Sequence, residues 1–213
     1  KVVALSTDKA SRPVSLYGAT KLASDKMFVA SNAYSGEHKT RFSVVRYGNV
    51  MGSRGSVIPF FIKEKKNGVL PITDNRMTRF MITLEEGVKL VWKAFDDMCG
   101  GEIYVKKIPS MKVTDLAIAI DKNAIQKVIG IRPGEKLHEE MIGEDDSAYT
   151  YEYDGYYKIL PAINNWSLSE KLIKNGKKVE EGFSYTSDNN REWMSIATLQ
   201  EWIKNNKNKI GRI

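Results

Sequence analysis

The chain has 213 residues, of which 42% are hydrophobic and one, Cys99, is a cysteine. This composition excludes wholesale disorder and an internal disulfide framework, and no apolar run reaches the about eighteen residues of a membrane helix. The net charge is +7, but aromatic residues do not interleave with the C-terminal lysines as they do in a groove for single-stranded nucleic acid. We therefore expect a soluble, cytoplasmic protein that binds neither membranes nor nucleic acid.

Strand and helix patterns alternate through residues 1–120. The sequence predicts strands at 1–6, 41–50 and 100–106, and helices at 14–33, 57–67, 83–95 and 113–120. A further strand, tight turn and helix are predicted within 127–141, and the aromatic run 149–157 suggests short strands. This alternation is typical of an α/β fold with a largely parallel sheet, in which ligands bind at the carboxyl ends of the strands.

Tyr17 and Lys21 are four residues apart near the start of the first predicted helix, so their side chains share one helix face. A nearby ammonium group favours the phenolate form of a tyrosine, which can then take a proton from a substrate hydroxyl. An ordinary surface pair is the commoner explanation of this spacing. The position just after a predicted strand, at the ligand-binding edge of the sheet, favours the catalytic interpretation.

Asp8 and Lys9 lie between that strand and that helix. A carboxyl group can protonate a departing hydroxide, and a lysine in its neutral form can remove a proton from a carbon next to a carbonyl. Such a pair would suit the elimination of water. An isolated Asp-Lys dipeptide is more often a solvated turn.

Six motifs, in order, resemble a known family: "LSTDKA", "YGATKLASDK", "RYGNVMGSRGSVIPFF", "LPITDNRMTRFMIT", "GGEIYVKKIPSMKVTDLA" and "IGIRPGEKLHEEMI". They resemble the extended short-chain dehydrogenases/reductases. Within these they are most similar to the inverting UDP-N-acetylglucosamine 4,6-dehydratases of pseudaminic acid and polysaccharide biosynthesis. The resemblance covers essentially the whole chain and implies a Rossmann-like domain that binds NADP, with a smaller C-terminal substrate-binding lobe.

The resemblance implies a role for each ionisable residue of the opening stretch. Tyr17 deprotonates the C4 hydroxyl of UDP-N-acetylglucosamine while hydride moves to NADP⁺, and Lys21 holds the nicotinamide ribose and favours the phenolate. Thr7 bonds the sugar near C4. Lys9 then removes the C5 proton, and Asp8 protonates the C6 hydroxyl, which leaves as water. Return of hydride to C6 and protonation of C5 from the opposite face give a 4-keto-6-deoxy-L-arabino-hexose nucleotide.

Two positions identify the inverting branch. Retaining 4,6-dehydratases carry Asp-Glu where this chain has Asp8 and Lys9. Long, membrane-attached relatives often have methionine in place of Tyr17. Both residues therefore favour the inverting type of hydro-lyase, without membrane attachment.

The resemblance further implies contacts in the glycine-rich segment that follows the second strand. Asn49 corresponds to a substrate contact, and Val50 lies beside the cofactor. Arg54 is a candidate partner of the substrate's diphosphate, because a guanidinium group forms forked hydrogen bonds with phosphate oxygens. Gly52 and Gly55 do not have the spacing of a dinucleotide fingerprint, and a tight turn explains them.

Three more substrate contacts are implied by the later motifs. Arg79 corresponds to a nucleotide-binding arginine, and Arg132 with Glu135 corresponds to a pair that holds diphosphate and ribose. His38 is expected in a polar turn and His138 on the predicted helix. Neither histidine has the partners or spacing of a metal ligand, so we expect no metal site.

The sequence contains no Gly-x-Gly-x-x-Gly motif of the kind that binds the cofactor pyrophosphate. The family places this motif upstream of the region that the chain resembles, so we expect roughly the first third of such an enzyme to be missing. The expected division is residues 1–120 as the C-terminal part of the NADP domain, with interleaved substrate-lobe segments, and 121–213 as the substrate lobe and C-terminal extension. Alone, such a fragment would be inactive.

Two other interpretations stay open. One is a nucleotide-sugar epimerase or reductase of the same superfamily, which would use Tyr17 and Lys21 but would need no elimination pair. The other is a catalytically inactive nucleotide-sugar-binding module. The family tends to form homo-oligomers, which the sequence does not decide for this chain.

Overall fold

The computed structural model describes residues 1–35, 37–162 and 173–212. Its helices are α1 (Leu16–Tyr34), α2 (Val57–Glu64), α3 (Leu84–Asp97), α4 (Val113–Ile120) and α5 (Ile196–Asn205). Its strands are β1 (Val2–Thr7), β2 (Phe42–Tyr47), β3 (Asn49–Val50), β4 (Val69–Ile72), β5 (Thr78–Ile82), β6 (Ile103–Lys106), β7 (Ser110–Lys112), β8 (Ile125–Val128), β9 (Glu140–Ile142), β10 (Thr150–Tyr153), β11 (Tyr156–Ile159), β12 (Lys177–Lys178) and β13 (Tyr185–Thr186). Among these described helices, none combines the length and the apolarity needed to cross a bilayer.

The described chain divides into two compact units. The first comprises Lys1–Tyr47, Glu85–Lys107 and Glu140–Thr186, and the second comprises Gly48–Leu84, Ile108–Glu139 and Ser187–Ile213. Each unit therefore draws on three separate stretches of the chain. The predicted functional division at residues 120 and 121 stays a prediction.

The first unit is built on a six-stranded sheet with the strand order β1-β2-β6-β11-β10-β12. The strands β1, β2 and β6 run parallel, whereas β11, β10 and β12 extend the sheet with antiparallel pairs. Thr7 is paired with Tyr47, so β1 and β2 end side by side at the carboxyl edge. The unit has the α/β arrangement that the alternating pattern predicts, and it is Rossmann-like, as the resemblance implies.

A charged cluster connects α3 to the strands β6 and β11 of this sheet. The Asp97 carboxylate, at the end of α3, accepts hydrogen bonds from Lys158 Nζ (2.9 Å), Lys174 Nζ (2.6 Å) and the Tyr104 hydroxyl (3.0 Å). Burial, the largest single influence, would raise the pKa of Asp97, but the hydrogen bonds from Lys174, Lys158 and Tyr104 and the charge of Lys158 together lower the pKa to about 2. Burial and nearby carboxylates raise the pKa of Tyr104, which stays a neutral donor. The cluster fixes the antiparallel strand β11 to α3.

The second unit has its own hydrophobic core. A parallel pair, β3 and β5, continues into the antiparallel strand β7, and β4 pairs in parallel with β8. The core is formed by buried side chains from α2, the short sheets, α4 and α5, including Phe61, Leu70, Met81, Leu116 and Leu199. The helix α5 buries Leu199 and is capped by Ser195, whose hydroxyl accepts a hydrogen bond from the Thr198 amide.

Most predicted elements are confirmed, and two are wrong. The predicted strand over 41–50 breaks at Gly48 into β2 and β3, which belong to different sheets. The helix predicted before residue 141 is absent, because the carbonyls of Lys136 and Leu137 accept hydrogen bonds from Arg79 instead of from amides one turn onward. His138 therefore lies on an irregular segment. The aromatic run forms β10 and β11, as predicted.

Candidate active site

The acid–base pair Asp8 and Lys9 lies in a short 3₁₀ turn at the carboxyl end of β1. One oxygen of Asp8, Oδ1, accepts hydrogen bonds from the Thr7 hydroxyl at 2.8 Å and from Lys9 Nζ at 3.0 Å. The Asp8 side chain is fully buried, and 36% of the Lys9 side chain is exposed. The structure therefore joins Thr7, Asp8 and Lys9 into one hydrogen-bonded group with an accessible amine.

The second predicted pair, Tyr17 and Lys21, lies in the first two turns of α1. Lys21 Nζ donates to the Leu5 carbonyl at 2.9 Å, which holds the ammonium group against β1. The Tyr17 side chain is exposed, and its hydroxyl makes no hydrogen bond within the described residues. The pKa of Tyr47 is raised mainly by burial and secondly by the charge of a Tyr17 phenolate. The two phenols therefore lie close enough to interact.

Gly18 allows these two pairs to approach each other. A Cβ atom at this position would lie 2.4 Å from the carbonyl oxygen of Lys9 and 3.0 Å from Pro13 Cβ. The first turn of α1 therefore packs directly on the backbone that carries Asp8 and Lys9. The sequence analysis missed this residue, although a glycine in the first turn of a helix is a signal of close packing.

A buried ion pair fixes α1 on the sheet. Arg46 Nη2, in β2, lies 3.1 Å from Asp25 Oδ2 in α1, and both side chains are at least 97% buried, with 3% and 1% exposed. Arg46 Nη1 also donates to the Met141 carbonyl at 2.6 Å. Asp25 is four residues after Lys21 and eight after Tyr17, so the pair anchors the helix that carries both. The sequence analysis missed this pair too.

The predicted substrate and cofactor contacts Asn49 and Val50 form β3 of the second unit. They pair with Met81 and Ile82 of β5. The Asn49 Oδ1 atom is buried and has no hydrogen-bond partner among the described residues. A buried acceptor without a partner is costly, so this atom is available for a donor on a ligand.

Arg54 is exposed in the turn between β3 and α2. The turn is shaped by Gly52 and Gly55, whose φ angles are 72° and 73°. At Gly52 a Cβ atom would also lie 2.8 Å from the ring of Trp202, so the glycine permits a close approach as well as a turn. Arg54 is accessible to an anion, and its contact with diphosphate stays a prediction.

Arg79 is held by its own unit. Its Nη1 donates to the carbonyls of Thr78 (2.7 Å) and Leu137 (3.1 Å), its Nη2 donates to the Lys136 carbonyl (3.0 Å), and its Nε lies 3.6 Å from Glu139 Oε1. Most of its donors are thus occupied. Its contact with a nucleotide stays a prediction, while the structure shows that Arg79 orders the segment 136–139.

The structure brings Arg132 and Glu135 together in the loop between β8 and β9. The Arg132 amide donates to Glu135 Oε2 at 3.3 Å, and the guanidinium Nη1 lies 4.0 Å from Glu135 Oε1. In the same unit, His138 Nδ1 is hydrogen-bonded to the Thr78 hydroxyl at 2.8 Å. Within the described residues, no group of three His, Cys, Asp or Glu side chains is arranged to hold a metal ion.

The fold and these side chains define a class. A parallel α/β sheet with a Tyr-x-x-x-Lys helix packed beside the carboxyl end of its first strand is a Rossmann-like protein of the short-chain dehydrogenase/reductase type. The chain belongs to the family described as polysaccharide biosynthesis protein, which matches residues 1–161.

Three relatives show how far the likeness extends. The chain is 59% identical to "UDP-N-acetylglucosamine 4,6-dehydratase (inverting)" of Campylobacter jejuni subsp. jejuni serotype O:2, over 95% of this chain and 63% of that protein. It is 40% identical to "UDP-glucose 4-epimerase" of Rickettsia canadensis, over 96% of this chain and 64% of that protein. The solved structure of Pen from Bacillus thuringiensis is 34% identical, with a TM-score of 0.82 over 96% of this chain and 62% of that chain. The chain thus spans less than two thirds of each.

Proposed function

We propose that this chain carries the catalytic acid–base residues of an NADP-dependent, inverting UDP-N-acetylglucosamine 4,6-dehydratase. The observation that carries the proposal is the hydrogen-bonded group Thr7, Asp8 and Lys9, packed through Gly18 against the helix of Tyr17 and Lys21. The proposed elimination pair and the proposed oxidation pair thus lie on segments that pack against each other. The 59% identity to a dehydratase of that name supports the assignment.

The residues present fit the nicotinamide end of the cofactor. Lys21 uses one donor on the Leu5 carbonyl, which leaves two N–H groups for ribose hydroxyls, and the Tyr17 hydroxyl is accessible. Val50 is a third proposed contact, which comes from the resemblance alone. When bound, the cofactor would supply the hydride acceptor for C4 and the hydride donor for C6. The choice of NADP over NAD comes from the resemblance.

Tyr17 begins the proposed reaction as a base. As the base, Tyr17 takes the proton of the C4 hydroxyl while that carbon is oxidised, and Lys21 holds the ribose of the cofactor. Thr7 directs its hydroxyl at Asp8 and offers its oxygen lone pairs to the sugar near C4. The 4-keto group then acidifies the proton on C5.

Asp8 and Lys9 carry out the elimination. In the structure, Lys9 Nζ donates to Asp8 Oδ1, so one proton lies between them. The proposed reaction uses the form of the pair in which that proton is on Asp8, so that Lys9 is a neutral amine and Asp8 is a carboxylic acid. The amine removes the C5 proton and the acid protonates the C6 hydroxyl, so that water departs and a C5–C6 double bond forms. Hydride addition at C6 and proton addition at C5 complete the reaction, with loss of one water and no net redox change.

We further propose, from the resemblance, that residues of the second unit bind the nucleotide part of the substrate. Asn49 offers its buried, unpartnered Oδ1 to a substrate donor, and the exposed Arg54 offers forked hydrogen bonds to phosphate. Arg132 and Glu135 already contact each other and would hold diphosphate and ribose. Arg79 would contact the nucleotide with its remaining donor. By resemblance, we place the enzyme in the cytoplasm as a homo-oligomer.

The second candidate function is a nucleotide-sugar epimerase, which the 40% identity to a UDP-glucose 4-epimerase favours. Such an enzyme oxidises and reduces C4 but does not eliminate water. Lys9 therefore discriminates between the two functions, because only the dehydratase needs a base for C5. Nucleotide binding without turnover would support an inactive module instead.

The test uses a chimera in which the chain is joined to the part of the Campylobacter jejuni relative that lies outside the match. The chimera is incubated with UDP-N-acetylglucosamine and NADP⁺ in deuterated water, and the products are followed by NMR. We expect a 4-keto-6-deoxy sugar of L-arabino configuration with deuterium at C5. A D-configured product would contradict inversion, and a C4 epimer that keeps its C6 hydroxyl would establish the epimerase.

The matched variants are Lys9→Ala and Lys39→Ala. Both remove a lysine side chain, but Lys39 lies exposed in the turn after α1. We expect the Lys9 variant to bind UDP normally and to lose elimination, while the Lys39 variant behaves as the unchanged chimera. Equal turnover of the two variants would remove Lys9 from the mechanism.

A further inference from the structure

The second unit contains a cavity that the proposed reaction does not use. It has a volume of about 680 Å³ and is formed by α2, the end of α4, and α5 with the turn after it. Its apolar wall is aliphatic, formed by Pro59, Ile62, Ala119, Ile120, Ile203 and Ile210. None of the predicted catalytic, cofactor or substrate residues lines it.

The charged residues that line this cavity are all lysines, and Gln200 is a neutral polar residue beside them. Lys63 and Lys65 approach from the α2 side, Lys204 and Lys207 approach from the α5 side, and no acidic side chain is among the described lining residues. All four lysines are exposed, and none makes an ion pair within the described residues. Long lysine stems can cover apolar surface while their ammonium groups stay in water, so an aliphatic wall with a cationic rim results.

We propose that this cavity binds an aliphatic anion, namely a carboxylate or phosphate that carries a single hydrocarbon chain. The volume lies in the range of about 300–1,000 Å³ that is typical of small-molecule sites. The isoleucine wall suits a hydrocarbon chain, and the four lysines without carboxylate partners suit its anionic head. The described lining contains no aromatic ring on which a base or a sugar would stack.

Other occupants fit these observations less well. A bilayer surface requires a protruding apolar face, whereas this apolar surface is concave. A second copy that docked through the same face would bring the four lysines against four more, in a chain whose net charge is already +7. An acidic amphipathic helix shares the charge complementarity, but it requires a longer groove than a cavity of this volume provides.

The test is isothermal titration calorimetry of the purified chain with dodecanoate below its micelle concentration. We expect one site per chain and a negative heat-capacity change, because apolar surface is buried. The charge-reversal variant Lys204→Glu/Lys207→Glu should weaken binding by about tenfold or more. The control variant Lys39→Glu/Lys127→Glu, which reverses two exposed lysines outside the cavity, should bind as the unchanged chain does.

Each other outcome overturns the proposal. Equal binding of dodecanoate and of the uncharged dodecyl maltoside would show that the lysines select nothing. Equal affinity in the two variants would place the site elsewhere. Binding of an acidic helical peptide or of anionic vesicles without binding of dodecanoate would establish a different occupant. Circular dichroism melting curves verify that both variants are folded, and UDP binding, measured in parallel, keeps this test separate from that of the proposed function.

Discussion

Replacing Gly18 by alanine should push the two proposed catalytic pairs apart. The new Cβ atom would lie 2.4 Å from the Lys9 carbonyl oxygen, about 1 Å closer than an ordinary van der Waals contact. The obstacle is backbone and cannot rotate away as a side chain would. Either the first turn of α1 or the 3₁₀ turn of Asp8 and Lys9 must therefore move.

The expected cost follows from two opposing terms. Overpacking against a fixed neighbour costs about 1–3 kcal/mol, whereas alanine gains up to about 1 kcal/mol over glycine in helix propensity. We expect a net loss of about 1 kcal/mol in the free energy of unfolding. In the chimera, a displacement of about 1 Å between Lys9 and Tyr17 should lower turnover by about 100-fold.

Gly87 provides the matched control. It also lies in the first turns of a helix, α3, but a Cβ atom there would meet nothing within 4 Å. Gly87→Ala should therefore stabilise the chain by about 0.5–1 kcal/mol through propensity alone and leave turnover unchanged. Urea denaturation of both variants gives the comparison. A Gly18→Ala chain that is as stable and as active as Gly87→Ala would refute the packing argument.

Three further predictions concern charge and unpaired polar groups. The pKa of Asp97 is held at about 2 in the folded chain, below its unfolded value near 4, so Asp97 should contribute about 2 kcal/mol to the free energy of unfolding above pH 4. This contribution should be lost as the pH falls towards 2. The variant Asp97→Asn should show a flatter dependence of stability on pH in this range, measured by acid titration. Arg46→Met should cost about 3–5 kcal/mol in urea denaturation by leaving the buried Asp25 charge unpaired, and adding Asp25→Leu should recover much of that loss; equal stability of the single and double variants would contradict it. Asn49→Ala should change the unfolding free energy by less than about 1 kcal/mol, because Oδ1 makes no hydrogen bond, yet it should weaken UDP-sugar binding in calorimetry.

Local pattern was sufficient for much of the fold. The strands β1 and β2 and the helix α1 follow from apolar periodicity, and the position of Asp8, Lys9 and Tyr17 at a strand's carboxyl end follows from their order along the chain. Residues 7, 8 and 9 are adjacent in the sequence, so the hydrogen bonds between their side chains could also be expected from the sequence.

Contacts between distant residues could not be read from the sequence. The helix expected before residue 141 fails because Arg79, more than fifty residues upstream, takes the carbonyls that the helix would have used. Periodicity also carries no signal that Asp25, in a helix, is the partner of Arg46 in a strand. The same limit applies to Gly18, whose role depends on a carbonyl in a different element.

The central claim is that the two side-chain pairs serve successive stages of one reaction. The direct test is a single turnover of the chimera with UDP-N-acetylglucosamine, quenched with borodeuteride and analysed by mass spectrometry. In Lys9→Ala, we predict deuterium at C4 of a sugar that keeps its C6 oxygen, because oxidation proceeds and elimination does not. In Tyr17→Phe, we predict neither label nor loss of water. A dehydrated product from Lys9→Ala, or a C4 label in Tyr17→Phe equal to that in Lys9→Ala, would contradict this division of roles.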